Sequence, residues 1–138
     1  MKQNSNMTFT EWEKQVPEDL KMDVVWRIEG YRLSLFLSDA CWYDTQQLID
    51  NKRFALADQL YRSVGSISAN IIEGYSRLSN KEKARFYEIA LGSAREARDW
   101  YFKSRHILSI DKTEKRIKKL TSIIKLLHVM IIDQRKRN

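Results

Sequence analysis

With 138 residues, of which 25 are Lys or Arg and 18 are Asp or Glu, the chain has room for one hydrophobic core and not for two. Four Gly and a single Pro leave little material for hairpin turns or a low-complexity tail, which argues against a β-sandwich or a collagen-like chain. The lone Cys41 excludes an intrachain disulfide framework and a cysteine-based zinc site, reads as a small buried hydrophobe, and fits a cytoplasmic protein.

The N-terminal stretch MKQNSNMTFTEWEK has neither an apolar h-region nor a small-residue cleavage site, so no signal peptide is expected. Residues 1–22 read as a short arm, with Thr10 and Glu13 at capping-box spacing and Pro17, Glu18 and Asp19 placed to open a turn. Such an arm is ordered where Phe9, Trp12 and Val16 find a surface to cover.

Four long helical patterns follow over 23–138, with almost no alternating run. The first is expected from about Asp23 to about Gln47, carrying Val24, Ile28, Tyr31, Leu35 and Trp42 on one stripe and Val25, Leu33, Phe36, Leu37 and Ala40 beside it. The second runs from about Arg53 to Gly74, with Leu56, Leu60, Val64, Ile67 and Ile71 facing the core and Gly74 suited to follow the last turn. Ser79 and Glu82 form a capping box for the third, carried to about His106 with Phe86, Ile89, Ala90, Ser93, Ala97 and Trp100 inward. Asp111 and Glu114 repeat that spacing before the fourth, whose seam is Ile117, Leu120, Ile124, Leu127 and Ile131.

Helices roughly 30 to 40 Å long with connections of a few residues make an all-α protein, an antiparallel up-down-up-down four-helix bundle. The most apolar run, Ser122 to Ile132, is interrupted by Lys125 and His128 and is too short to span a bilayer, so no membrane association is expected. Apolar residues around much of the first and fourth helices exceed one monomeric core and point to a homo-oligomer.

The charge is segregated. Residues 1–102 hold 14 basic and 15 acidic side chains, whereas 103–138 hold 11 basic and 3 acidic. A field of one sign concentrated in the last quarter attracts polyanions, nucleic acid first among them. The residues expected to meet phosphates are Lys112, Lys115, Arg116, Lys118, Lys119 and Lys125, with the tail Arg135, Lys136 and Arg137. Most aromatics fall on core stripes, leaving Trp12, Tyr75 and Tyr101 as surface candidates for base stacking.

The patterns of catalysis are missing. Neither His106 nor His128 has a Glu three positions before it, as a carboxylate-bridged metal bundle requires; those places hold Lys103 and Lys125. No phosphate-cradling Gly-rich loop, nucleophile elbow or H-E-x-x-H occurs, and two His with one Cys supply few general bases or nucleophiles. The expectation is a non-enzyme without metal or cofactor.

One constellation is denser than packing alone demands. Gly65, Ala69, Gly92 and Ala94 sit inside helices, where each Gly costs about 1 kcal/mol relative to Ala, and are expected to permit close helix approach. Asn70, Glu73, Ser93 and Glu96 are expected to join in a hydrogen-bond network between the second and third helices. Arg62, Arg77 and Arg85 flank it.

The run Gln59, Arg62, Ser63, Ser66, Ile67, Asn70, Ile71, Glu73, Gly74 and Arg77, with Arg85, Phe86, Ala90, Gly92, Ser93 and Glu96, resembles the signature of the 23S rRNA intervening-sequence protein family. The resemblance extends from about Val25 to Leu127. It implies a small antiparallel four-helix bundle of bacterial origin that assembles as a homopentamer, and it treats the motif residues as structural or interfacial. The family it resembles also includes the accessory protein of diversity-generating retroelements, a basic bundle that binds nucleic acid and a reverse transcriptase. The arm, with Trp12 and Pro17, and the stretch Asp44 to Gln47 depart from the pattern.

Two functions are therefore expected of these residues. The first is non-catalytic binding of RNA or DNA through the basic C-terminal helix. The alternative is a protein-interaction scaffold, or an accessory subunit for a protein such as a reverse transcriptase, without direct nucleic-acid contact.

Overall fold

The computed structural model describes residues 6–137. Residues 1–5, at the start of the expected arm, and Asn138 lie outside them. Two short helices, α1 (Phe9–Glu13) and α2 (Glu18–Lys21), and a 3₁₀ turn over Val24–Arg27 lead into four long helices, α3 (Glu29–Asp50), α4 (Phe54–Tyr75), α5 (Asn80–Lys103) and α6 (Ile110–Lys136). Each long helix packs on the next, and α3 also meets α6, which closes the antiparallel four-helix bundle. The α3–α6 contact is the sparsest of the four.

The arm is longer than its sequence pattern indicated, and α3 begins at Glu29 instead of Asp23. The Asp23 carboxylate accepts from the Val25 N–H at 3.0 Å, which winds 24–27 into a 3₁₀ turn, and Ile28 is extended. Val24, expected in the core stripe, is exposed in consequence. The arm's first helix is capped by Thr8, whose Oγ1 accepts from the Glu11 N–H at 3.2 Å, and not by Thr10. Pro17 does precede the turn of α2.

An aromatic cluster holds the arm down. Trp12 stacks on Trp26 at 6.2 Å between centroids and meets Phe36 at 5.4 Å, while Phe9 meets Phe36 edge-on and Trp26 meets Tyr31 edge-on. The Trp12 indole N–H donates to Asp39 at 2.7 Å. Trp12 and Val16 are buried, so Trp12 is packing and not a surface for bases.

The α3–α4 connection is tight, and Lys52 turns it with φ 60, in the left-handed region. Gly74 lies inside α4, which ends one residue later at Tyr75, so it does not terminate the helix as expected. Its role is proximity: a Cβ there would lie 2.8 Å from a Tyr87 ring carbon and 2.9 Å from the Phe86 Cβ. Gly65 and Gly92 behave oppositely. A Cβ on either would meet nothing within 4 Å, so neither serves helix approach inside the bundle.

Ser79 caps α5 as expected, accepting from the Glu82 N–H at 3.1 Å, and the last residues of the expected helix, Ser104–His106, tighten into 3₁₀. The inward face of α5 is Ala84, Tyr87, Ala90, Leu91, Ala94, Ala97 and Tyr101, rotated from the expected stripe so that Ile89 is exposed. Tyr101 is wholly buried and leaves the list of surface aromatics. Trp42, expected in the core, is half-exposed on the outer face of α3 and packs edge-on against Tyr61 of α4. Ser109, not Asp111, caps α6, accepting from the Lys112 N–H at 3.2 Å.

Candidate nucleic-acid interface

Thr113, Arg116, Leu120, Ile123, Ile124 and Leu127 form the buried side of α6, while Ile117 and Ile131 of the expected seam are only partly covered. Helical periodicity then sets the neighbouring stripe, Lys115, Lys118, Lys119, Ser122, Lys125, Leu126 and Val129, along the open seam with α3. Glu29 and Leu33 of α3 form the opposite wall of a groove of about 680 Å³. Among the described residues, none of these four lysines has a carboxylate oxygen within 4.0 Å. Lys119 sits over the Phe36 ring, 5.6 Å from its centroid, and so links the lysine stripe to the aromatic cluster under the arm.

The other expected phosphate contacts are placed differently. Arg116 is buried, with Nε donating to Asp44 Oδ2 at 2.7 Å and Nη2 to Oδ1 at 3.2 Å, so it contributes to the core and not to a phosphate-binding surface. Lys112 donates to Gln47 Oε1 at 2.9 Å and lies 3.7 Å from the same Asp44 carboxylate. Arg135 pairs with Glu88 of α5, and Arg137 with Asp133 at 3.0 Å; Lys136 is exposed. Of the nine basic residues, Lys115, Lys118, Lys119 and Lys125 line this groove, and Lys115 and Lys118 also border a second one with Lys112, Arg116, Asp111 and Glu114.

The groove's other contributors were not singled out in the sequence. Ser122, Leu126 and Val129 continue the three-four spacing of the lysines, a signal that was available. Glu29 and Leu33 come from another helix and carry no local signal.

The motif residues gather along the edge where α4 and α5 meet. Ser66 and Ser93 share a hydrogen bond of 2.8 Å across the helices, and Asn70 Nδ2 donates to the Ser66 carbonyl and hydroxyl at 2.8 and 2.9 Å. Glu73 and Glu96 do not enter this network: Glu73 pairs with Arg77 at 3.0 Å, and Glu96 accepts from the Trp100 indole at 3.4 Å, each within its own helix. Ser63 donates to the Leu60 carbonyl one turn earlier, and Gln59 is exposed. Arg62 pairs with Asp58, and Arg85 with Glu82, whose carboxyl is held below its usual range by the Arg85 hydrogen bond. Arg77 and Arg85 both lie over Phe86, each 4.6 Å from its ring centre. The flanking arginines are therefore already engaged.

Cys41, Asp44, Tyr101 and Arg116 form a polar centre in the bundle. Tyr101 donates to Asp44 Oδ2 at 2.7 Å, and burial raises its phenol well above the ordinary range. Burial likewise pushes the Cys41 thiol up to about 12. A thiol so placed is a poor nucleophile. Among the described residues no group of three or more His, Cys, Asp or Glu is arranged to hold a metal ion, and no helix is long and apolar enough to cross a membrane.

The family model described as 23S rRNA-intervening sequence protein matches residues 27–131. The chain belongs to that family. Its motif edge and all four groove lysines fall inside the matched region, whereas α1 and α2 fall outside it. A crystal structure of a protein of unknown function from the S23 ribosomal protein family of Bacteroides thetaiotaomicron is similar, with a TM-score of 0.70 and 26% identity. The similarity covers 74% of this chain and 97% of that one. No curated protein matches.

Proposed function

We infer that this family member is a non-catalytic nucleic-acid-binding bundle, and that the α3–α6 groove is its binding surface. The observation that carries the reading is the set of Lys115, Lys118, Lys119 and Lys125, brought to one groove with no carboxylate oxygen within 4.0 Å among the described residues although Glu29 stands on the far wall, while other basic residues of the C-terminal quarter are engaged by Asp44, Glu88 or Asp133. An ammonium with no carboxylate beside it remains available for phosphate, and each phosphate neutralised releases condensed counterions. Among the described residues Ser122 is the single uncharged polar side chain lining the groove, and its hydroxyl donates to the Lys118 carbonyl, so the binding is weakly sequence-specific.

A second surface supports association with protein. Trp42, Ile49, Phe54 and Tyr61 are all partly or largely exposed across α3 and α4, an apolar cluster on the side chains of two adjacent helices. It lies on the first and second long helices, not on the first and fourth from which a homo-oligomer was expected, and it supports an oligomer in which several copies of the lysine groove would act together with avidity. It equally serves the alternative of a scaffold for another protein.

The triple variant Lys115→Glu, Lys118→Glu, Lys119→Glu tests the reading. It is expected to keep the wild-type helical content and melting behaviour while losing binding to labelled RNA and DNA in fluorescence anisotropy. Unchanged affinity in the folded triple variant would refute the groove as the binding surface.

A further inference from the structure

The groove is asymmetric in a way that selects the form of its ligand. All of its cations stand on α6, at 115, 118, 119 and 125, and α3 contributes Leu33 and the carboxylate of Glu29. Leu33, Leu126 and Val129 are its apolar residues, and Val129 is 66% exposed. From Lys115 to Lys125 the stripe covers about 15 Å of helix axis.

We propose, on the basis of the nucleic-acid reading above, that this groove takes a single strand of RNA or DNA in preference to a duplex, with phosphates on the α6 lysines and bases against Leu33, Leu126 and Val129.

A duplex carries two phosphate rows flanking each groove, and its base faces are stacked inside where Leu33 and Val129 do not reach them. Laid along α6, it would satisfy one rim of lysines and bring further phosphate charge towards Glu29, while the apolar residues gained nothing. A single strand has its charge on one side and its unstacked bases on the other. In the groove Leu126 and Val129 share α6 with the lysines and Leu33 faces them from α3, so unstacked bases meet aliphatic surface while phosphates meet ammonium groups. Because the bases meet aliphatic surface and the Ser122 hydroxyl is turned to the Lys118 carbonyl of its own helix, the preference concerns strandedness and not sequence.

The closing experiment compares a labelled 12-nucleotide single-stranded RNA, its DNA counterpart and the corresponding 12-base-pair duplexes by anisotropy with the full chain, at one low and one moderate salt concentration. The single strands are expected to bind more tightly than the duplexes. The variant Val129→Ser, alone and with Leu33→Ser, is expected to weaken single-strand binding several-fold without changing its salt slope, since the lysines remain. Duplexes bound as tightly as single strands would overturn the preference and leave nucleic-acid binding standing, as would single-strand affinity unmoved by Val129→Ser, a substitution at an exposed site. Absence of binding to every probe at low salt would overturn both readings. The RNA and DNA arms show which single strand is favoured.

Discussion

Asp44 and Arg116, 72 residues apart in the chain, meet in the interior of the bundle through two hydrogen bonds, Nε to Oδ2 at 2.7 Å and Nη2 to Oδ1 at 3.2 Å. Tyr101 adds a third donor to the same carboxylate at 2.7 Å. The pair joins α3 to α6 along the seam where helix contact is otherwise sparsest, and it fixes the register that brings the lysines of α6 opposite Glu29 and Leu33. A buried pair of this kind contributes little net stability compared with apolar residues, but removing one partner strands a charge.

Asp44→Ala is therefore expected to destabilise the fold by about 3 to 5 kcal/mol. The double variant Asp44→Leu, Arg116→Met should recover most of that loss. Urea denaturation of Asp44→Leu, Arg116→Met and the double variant gives the coupling directly. A double variant no more stable than the worse single one would contradict the pairing.

The glycines make opposite predictions, Gly65 and Gly74 within α4 and Gly92 in α5. Gly74→Ala forces a methyl into Tyr87 and Phe86 and should cost about 1 to 3 kcal/mol, whereas Gly65→Ala and Gly92→Ala meet open space and should each stabilise by up to about 1 kcal/mol. Thermal melts of the three variants separate these signs. Lys52→Gly, which removes a side chain from a left-handed backbone, should also raise the melting temperature.

The arm's attachment rests on few residues. Trp12→Ala removes the stack on Trp26, the contact with Phe36 and the bond to Asp39. The expected outcome is rapid limited proteolysis within residues 6–28 while α3 to α6 stay protected, as the arm lies outside the four-helix body. Equal protease resistance of the variant and the wild type would show that the aromatic cluster is not what secures the arm.

The bundle and much of its core were legible because apolar spacing of three and four is strong in α4 and α6, and Ser79 and Glu82 mark the start of α5 plainly. The polar centre was not. Arg116 shares the composition of the lysines around it, and only the distant Asp44, folded against it, shows that one cation of the basic run turns inward. The α5 face was misread because Ala84, Ala94 and Tyr101 form its core while the larger Ile89 and Phe102 point out, which reverses the ordinary weight of side-chain size. Trp12 and Tyr101 were candidates for base stacking only because burial by a remote element leaves no local trace. The groove's lysines were named from charge alone, whereas its α3 wall required the fold.

Alkaline pH should loosen the structure at the polar centre. The Cys41 thiol, ordinarily ionising near 9.0, is pushed to about 12 by burial, and burial also raises the Tyr101 phenol. Both folded-state values are raised, so their contribution is complete below the ordinary thiol value and is lost as pH climbs above it, where the unfolded chain releases protons that the folded one retains. The urea midpoint should fall between pH 8 and pH 10.5, and less so in Cys41→Ala. Thiol labelling of the native protein should be slow at either pH unless urea is added.

The most direct test of the account is the salt dependence of single-stranded RNA binding by the wild type and the Lys115, Lys118, Lys119 triple variant. Four lysines each neutralising one phosphate predict a slope of log affinity against log salt of roughly −3 for one bound chain, since each contact with a single strand contributes about −0.7. Measurable wild-type binding with that slope, and none in the folded triple variant, is the predicted result. Binding that is insensitive to salt, or equal in the two proteins, would contradict the central claim that the α6 lysines hold nucleic acid.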